Sequence, residues 1–436
     1  MAKISIICAR IKNDLEKLLD ASWIEDTCKR LGYRWRQRIL GPVETVHLFI
    51  LQLLAENTAL NHLRHLAGAP ISAQAICDAK ARLPLSVLRD LAHQVSQRVG
   101  QLGEAWRWKG HRVVGVDASG FTLADTPELR EYFGLPSGQK PECSFPIAKM
   151  LALFDLGTGM LLKNFCFPLR RQEICLAGRM LKWLARGDVL VGDKAFKSFA
   201  WFQMLFQAGI HLCAHLQNDL IVYGRGSGRR RKIKSLGRGD MLVRWEKPLN
   251  RTPWMSRRRW KKLEPFVILR QVACTLNRPG FRVKKIMVLT TLLDRRRYPG
   301  ESISALYFRR WTVEGCFRDL KQTLNLDALR VRSIQAVKKE MASMAITYNL
   351  LRLIILDAAE KQEVNPWRIS FIDAVRWLLL AEPGAPIPPL IINPSRPGRS
   401  EPRRVKRRPK SYYRLNKPRA EYRRDERKLK KVLKLS

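Results

Sequence analysis

Three acids and a cluster of cations carry the chemistry open to this chain. Asp117 closes the run "HRVVGVD" and Asp193 closes "GDVLVGD". Glu314 stands alone in "YFRRWTVEGCFRDLKQ", residues 307–322, among Arg309, Arg310, Arg318 and Lys321. Hard divalent cations take oxygen ligands, and Mg²⁺ at phosphoryl-transfer sites is held by a few carboxylates plus the substrate phosphate. Two such ions about 4 Å apart clamp the attacking and leaving oxygens of an in-line displacement. Three acids drawn from distant parts of a chain suit that task. Taken singly, Asp117 and Asp193 also read as helix caps or turn residues.

The stretch around Glu314 has helical texture. Counted from Tyr307, Arg310, Glu314 and Lys321 follow at offsets of 3, 7 and 14. At about 100° per residue these fall near 300°, 340° and 320°, so the four side chains share a stripe roughly 60° wide along about 21 Å of axis. On this reading Glu314 is a metal ligand and its neighbours hold DNA phosphates beside it. Arg grips phosphate bidentately, Lys acts as a point charge and Tyr through its hydroxyl. The competing reading is an exposed helix face with ordinary i,i+3 and i,i+4 charge pairs.

The elements that must position these residues follow from periodicity. Residues 1–105 read as helical, with apolar residues at helical spacing in "PVETVHLFILQLLAENTALNHLRHLAG" and basic residues interleaved. They are expected to form either a small bundle or a helical DNA-binding domain, joined by a linker at 101–110. From 111 the texture turns to strands: 111–117, 147–159, 160–169, 187–193 and 210–217. Helices are expected at 172–186 and at 198–209, the second stopped by Gly209. That order predicts a mixed α/β sheet, and it matches an RNase H-like core split into a first part, 111–220, and a second part with C-terminal helices, 286–380. Carboxylates at strand ends would lie at the carboxyl edge of such a sheet, where sites usually form. Residues 221–285 read as a β-rich insertion and 381–436 as a Pro-rich linker and basic tail. The last 36 residues hold 16 Lys plus Arg against 4 acids, and this tail is expected to be largely disordered and to touch DNA.

Composition narrows the partners. With 81 Lys plus Arg against 38 Asp plus Glu, the net charge is +43. A chain this basic calls for a polyanion, and nucleic acid precedes an anionic membrane surface because each neutralised phosphate releases counterions. Nine scattered cysteines with no C-x-x-C pair argue against a disulfide framework or a zinc ribbon. The apolar part of the N-terminal "MAKISIICARIKND" is too short for a secretory signal, and no apolar run reaches the roughly 18 residues of a membrane span. The expectation is a soluble, intracellular protein. His211, Cys213 and His215 share one face of a strand, so zinc is conceivable there, but a packed strand with satisfied polar groups is the plainer reading. The Gly-rich "GRGSG" lacks the G-K-[ST] ending of a P-loop.

The spacing Y-x2-R-x3-E-x6-K, met by Tyr307, Arg310, Glu314 and Lys321, resembles the signature of the bacterial DDE transposases of the "insertion sequence four" family. "VVGVDASGFTLAD" and "GDVLVGDKAF" resemble that family's segments around its first and second Asp, and the resemblance covers about residues 20–380. It implies an RNase H-like fold with Asp117, Asp193 and Glu314 as metal-binding triad for two Mg²⁺, Mn²⁺ substituting. The 121 residues from Asp193 to Glu314 fit the β-rich insertion such enzymes carry. Tyr307, Arg310 and Lys321 would contact phosphates near the transposon end, and Trp311 would support an unstacked base during hairpin formation. "DKAF" departs from the family's usual D-R-G-F, trading glycine's backbone freedom for Ala195. The implied activity is cut-and-paste transposition: strand cleavage at terminal inverted repeats, hairpin formation, hairpin hydrolysis and joining to target DNA. A homodimer would act on double-stranded DNA in the bacterial cytoplasm, associated with the nucleoid and not with a membrane. Another RNase H-like nuclease, or a DNA-binding relic without catalysis, remain as rival readings.

Overall fold

The structure is a computed structural model. It describes residues 19–433 except 69, 101–103, 141, 217–219, 223–225, 228, 277–283, 381–385 and 395–412. Five helices come first: α1 (Ala21–Arg30), α2 (Pro42–Leu54), α3 (Leu60–Ala67), α4 (Ala73–Arg82) and α5 (Leu85–Gly100). Their starts are chemically marked. Asp20 caps α1 by accepting from the Trp23 N–H at 2.7 Å, and Ser72 caps α4 through the Ala75 N–H. α2 is apolar nearly all round and correspondingly buried on nearly every side.

Ten strands form one sheet: β1 (Val113–Thr122), β2 (Ile147–Asp155), β3 (Leu161–Pro168), β4 (Val189–Gly192), β5 (His211–His215), β6 (Gly226–Ser227), β7 (Arg230–Gly237), β8 (Asp240–Glu246), β9 (Phe266–Leu276) and β10 (Lys284–Thr290). Their order is β3-β2-β1-β4-β5-β10-β9-β8-β7-β6. β1, β4 and β5 run parallel, and every other pairing is antiparallel. The strands expected to form a separate β-rich insertion therefore continue the central sheet through β10, and the boundary drawn at 285/286 falls inside β10. The buried Arg270 of β9 fastens this extension by gripping Asp240 at 2.6 and 2.8 Å.

Side chains alternate between two cores, as the pleat requires. Val114 and Val116 pack with Leu151, Leu153 and Trp201 on one face. That face is covered by α7 (Phe199–Gln207), which ends at Gly209 with φ 70° as expected. Val113, Ala152 and Phe154 join the other core, which runs without a break into Leu48 and Leu91 of the N-terminal helices. Residues 172–186, expected as one helix, form two 3₁₀ turns around a single α-turn at Ala177–Met180. The stretch starts without a side-chain cap and carries Gly178 at its middle.

The second half is helical. A short α6 (Pro127–Phe133) belongs to the β1–β2 connection, and α8 (Gly300–Phe308), α9 (Thr312–Arg318), α10 (Ile334–Lys361) and α11 (Phe371–Leu380) follow β10. The Tyr307–Gln322 stretch is not one regular helix. A 3₁₀ turn at Arg309–Trp311 separates α8 from α9, and a π turn at Asp319–Thr323 follows. The Arg309 guanidinium donates to the Leu156 carbonyl at 3.0 Å, and Arg352 of α10 holds Asp319 at 2.9 Å. Such turns re-aim side chains relative to an ideal helix. α10 has the length and hydropathy of a membrane span, beyond any run expected from the sequence, but 94% of its most apolar window is buried inside the fold.

The tail also departs from expectation. Part of it lies outside the described residues, but Arg419–Leu433 form a helix, α12. Arg419 at its start is buried and donates to Asp125 at 2.6 Å and to the carbonyls of Glu142 and Ser144. An i,i+4 pair, Lys430 to Glu426 at 2.8 Å, supports its far end. The eight described cysteines are free thiols.

Candidate active site

Register brings the two aspartates together. Val113–Val116 of β1 pair in parallel with Val189–Gly192 of β4. Asp117 and Asp193 each come one residue beyond that shared ladder, side by side at the carboxyl end of β4. Asp117 does not end its strand, however. β1 runs on to Thr122 because β2, its antiparallel partner, is longer than β4.

Asp193 also caps a turn. Its Oδ1 accepts from the Ala195 N–H at 2.7 Å, opening the 3₁₀ turn Lys194–Phe196. Ala195 is not among the residues with positive φ, so alanine takes the place of glycine without strain.

Glu314 arrives from the other direction, in the first turn of α9, with its side chain 61% exposed. α9 packs directly over β1 because position 115 has no side chain. A Cβ there would stand 2.5 Å from Val313 Cγ2 and 2.7 Å from Leu156 Cδ2. Gly115 thus sets the separation of strand and helix, and with it that of Asp117 and Glu314. Sequence reasoning passed over this residue, although a glycine inside "VVGVD" is a known sign of close backbone approach.

Arg310 joins the acids. Its guanidinium donates to Asp117 Oδ2 at 3.2 Å and to Glu314 Oε1 at 3.1 Å, while its buried Nε has no partner among the described residues. The Asp117 carboxyl is pushed up to about 6, first by burial and further by the negative charges of Asp193 and Glu314. The Ala118 N–H and Arg310 oppose that rise. Asp117 thus feels both other carboxylates in a partly buried place, with Arg310 as the cation between it and Glu314. The donor set is all oxygen, which fits Mg²⁺ or Mn²⁺ better than zinc. Among the described residues no three or more His, Cys, Asp or Glu side chains are drawn together closely enough to hold a metal ion. Arg310 stands between two of the three acids instead.

The remaining signature residues are less exposed than a simple stripe implies. Tyr307 is 5% exposed, its hydroxyl pKa raised by burial, with its ring 6.3 Å from that of His215. Lys321 reaches back to β1, donating to the Gly120 carbonyl and pairing with Asp327 at 3.2 Å. Trp311 is half-buried, its ring 5.4 Å from that of Phe308. Lys321 borders β1 and Tyr307 lies towards β5, and the 3₁₀ and π turns aim these side chains in different directions. The trio on β5 behaves as packed structure. The Cys213 thiol is fully buried and pushed far up, and His211 packs edge-on against His111 at 5.3 Å.

Comparison with known proteins gives the family. The family model "Transposase DDE domain" matches residues 108–350. Transposase InsG for insertion sequence element IS4, from Escherichia coli (strain K12), is 26% identical over 361 residues, 78% of each chain. Putative transposase InsZ, from the same strain, is 33% identical over 103 residues, 23% of this chain and 34% of that protein. The cryo-EM structure of the piggyBac transposase synaptic complex with hairpin DNA aligns over 86% of this chain and 79% of its own, with TM-score 0.42 and 13% identity. The chain belongs to the DDE transposases, in the family of insertion sequence element IS4.

Proposed function

We propose that this transposase cuts and pastes its element through one site built on Asp117, Asp193 and Glu314, set in an RNase H-like core. The observation that carries the reading is the placement of Asp117 and Asp193 side by side past the β1–β4 ladder, with Glu314 joined to Asp117 through Arg310. The three carboxylates would hold two Mg²⁺, or Mn²⁺, which when bound polarise the scissile phosphate and activate a water.

Each step is an in-line displacement at phosphorus. Water attacks at the element end, the bond from phosphorus to the 3′-oxygen breaks, and the element strand keeps a 3′-hydroxyl. That hydroxyl attacks the opposite strand, closing a hairpin and freeing the flanking DNA. Hydrolysis reopens the hairpin, and the recovered 3′-hydroxyl attacks a target phosphate. Arg310 grips a phosphate bidentately once it leaves the carboxylates. Tyr307 beside Arg310 and Lys321 beside β1 add to that contact, and Trp311 offers a face to an unstacked base. Two copies would hold the two terminal inverted repeats in the nucleoid-bearing cytoplasm.

The test is cleavage of a labelled duplex bearing the element's own ends, with Mg²⁺ or Mn²⁺, comparing wild type with Glu314→Gln. The variant should bind the duplex at least as well and cut about a thousandfold more slowly, in the range of losses typical when a catalytic group is removed. If neither protein cuts with any metal, a DNA-binding relic is the better reading. Cleavage without strand joining would favour another RNase H-like nuclease.

A further inference from the structure

Away from the three acids, at the β3 edge of the sheet, lies a cleft with a cavity volume of about 190 Å³. It is lined by Arg89 and His93 of α5, Lys163 of β3, Arg179 and Lys338 of α10. Among the described residues no carboxylate lines it, and none of these four long cations pairs with an acid. By contrast, the buried Arg270 and Arg352 each meet a carboxylate, Asp240 and Asp319. Trp183 forms one wall. Lys163 Nζ lies 4.2 Å over its ring, and the His93 ring meets it edge-on at 4.8 Å. His93 Nδ1 is buried with no hydrogen-bond partner among the described residues.

We propose that this cleft binds a phosphate group. Like charges are not gathered against a low-dielectric wall without cost, and an oxyanion would remove that cost and satisfy His93 Nδ1. The electrostatics agree: the Lys163 ammonium is pushed down to about 8 by burial and by Arg89 and Arg179. The Arg89 guanidinium is lowered too, by burial and by Arg179. The volume is well short of the roughly 300–1,000 Å³ of a drug-sized ligand site, so a single oxyanion fits better than a large metabolite.

The phosphate is not the scissile one. Asn164 of β3 shares a transverse row with Ala152 and Asp117. Two strand spacings of about 4.8 Å put β3 about 10 Å from β1. The phosphate would belong either to DNA passing the sheet edge or to a small phosphate ester.

The full-length chain is titrated calorimetrically with pyrophosphate at high ionic strength, where exposed charges are screened. A random-sequence duplex is titrated separately. The variants are Lys163→Met and the double variant Arg89→Gln/Arg179→Gln, the latter at exposed positions so that folding is kept, as an unchanged Tm would verify. Wild type should take up one pyrophosphate, and each variant should bind it about tenfold or more weakly, the loss of a charge-assisted hydrogen bond. If the variants also lose duplex affinity, with the salt slope reduced by about one per phosphate contact, the ligand is DNA. Unchanged duplex binding with weakened pyrophosphate binding assigns a small phosphate ester. The proposal is overturned if pyrophosphate binds wild type and both variants equally. It is overturned as well if wild type takes up none and the variants bind duplex normally.

Discussion

Arg310 donates to Asp117 across the β1–α9 contact at 3.2 Å while holding Glu314 at 3.1 Å, so one guanidinium sits where a metal ion would have to compete. An arginine in that place holds Asp117 and Glu314 together when nothing else neutralises them. Replacing it should therefore separate metal affinity from catalysis. Arg310→Ala is expected to bind Mn²⁺ several-fold more tightly in a calorimetric titration and yet to cut its duplex at least tenfold more slowly, having lost a phosphate contact. Weaker Mn²⁺ binding in the variant would refute the competition.

The distance between β1 and α9 rests on Gly115, where an added Cβ would meet Val313 at 2.5 Å. Gly115→Ala should lower stability by about 1–3 kcal/mol, as overpacking generally does, and should slow cleavage more than it weakens DNA binding. Adding Val313→Ala makes room for the new methyl group and should restore part of both. Chemical denaturation and the duplex assay read the two effects separately, and a Gly115→Ala protein of wild-type stability and rate would discard this account.

Arg270 is fully buried, and besides Asp240 it serves the carbonyl of Tyr298 at 2.7 Å. Removing one partner strands a buried charge, so Arg270→Met should cost about 3–5 kcal/mol. The paired change Arg270→Met/Asp240→Leu should recover most of that loss, because a well-packed apolar pair replaces the ion pair. Urea unfolding of the four proteins of the cycle measures the coupling, and simple additivity would show that the pair acts independently.

α12 is moored by Arg419 to Asp125, whose carboxyl also accepts from Arg130 at 2.5 Å. Burial pushes the Asp125 carboxyl up, but hydrogen bonds from Arg130 and Arg419 outweigh it, and the net shift is downward from 3.8. A depressed carboxyl contributes stability that is present above the unfolded value and lost as pH falls through the folded one. The mooring should therefore hold at neutral pH and weaken only below the ordinary carboxyl value. Arg419→Ala should expose α12 to limited proteolysis already at pH 7, with the rest of the chain intact. Equal resistance of wild type and variant would argue that other contacts hold the helix.

Much of the arrangement was legible in the sequence where local pattern and final structure agree. The short apolar runs around Val114 and Val189, each ending in an acid, became neighbouring parallel strands, and the acids after them came together. What could not be read depends on partners far along the chain. Asp117 lies inside its strand because β2 outlasts β4, a matter of pairing rather than of propensity. The helix through Glu314 breaks where Arg309 reaches Leu156 and Arg352 reaches Asp319, contacts spanning 153 and 33 positions. The basic tail has a composition typical of disorder, yet the order of α12 starts at Arg419, bonded to Asp125 at a separation of 294. Gly115 was visible but silent until Val313 was placed over it.

α10 gives the molecule a further property. It contributes Met344, Ile346 and Leu350 to the core shared by the N-terminal helices and the sheet. Its Glu340 pairs with Lys80 at 2.7 Å, and its Lys339 binds the carbonyls of Lys80 and Ala81. A message interrupted before Ile334 encodes the basic helices but not the surface on which they rest. Such a product loses the burial that α10 gives the core shared by the N-terminal helices and the sheet, and is expected not to persist. A damaged copy of the gene is thus expected to fall silent rather than to yield a competitor for the intact enzyme's DNA. Co-expressing residues 1–333 with the whole chain checks this: transposition should proceed undiminished, and a fragment that accumulates and inhibits would show that the two halves stand without α10.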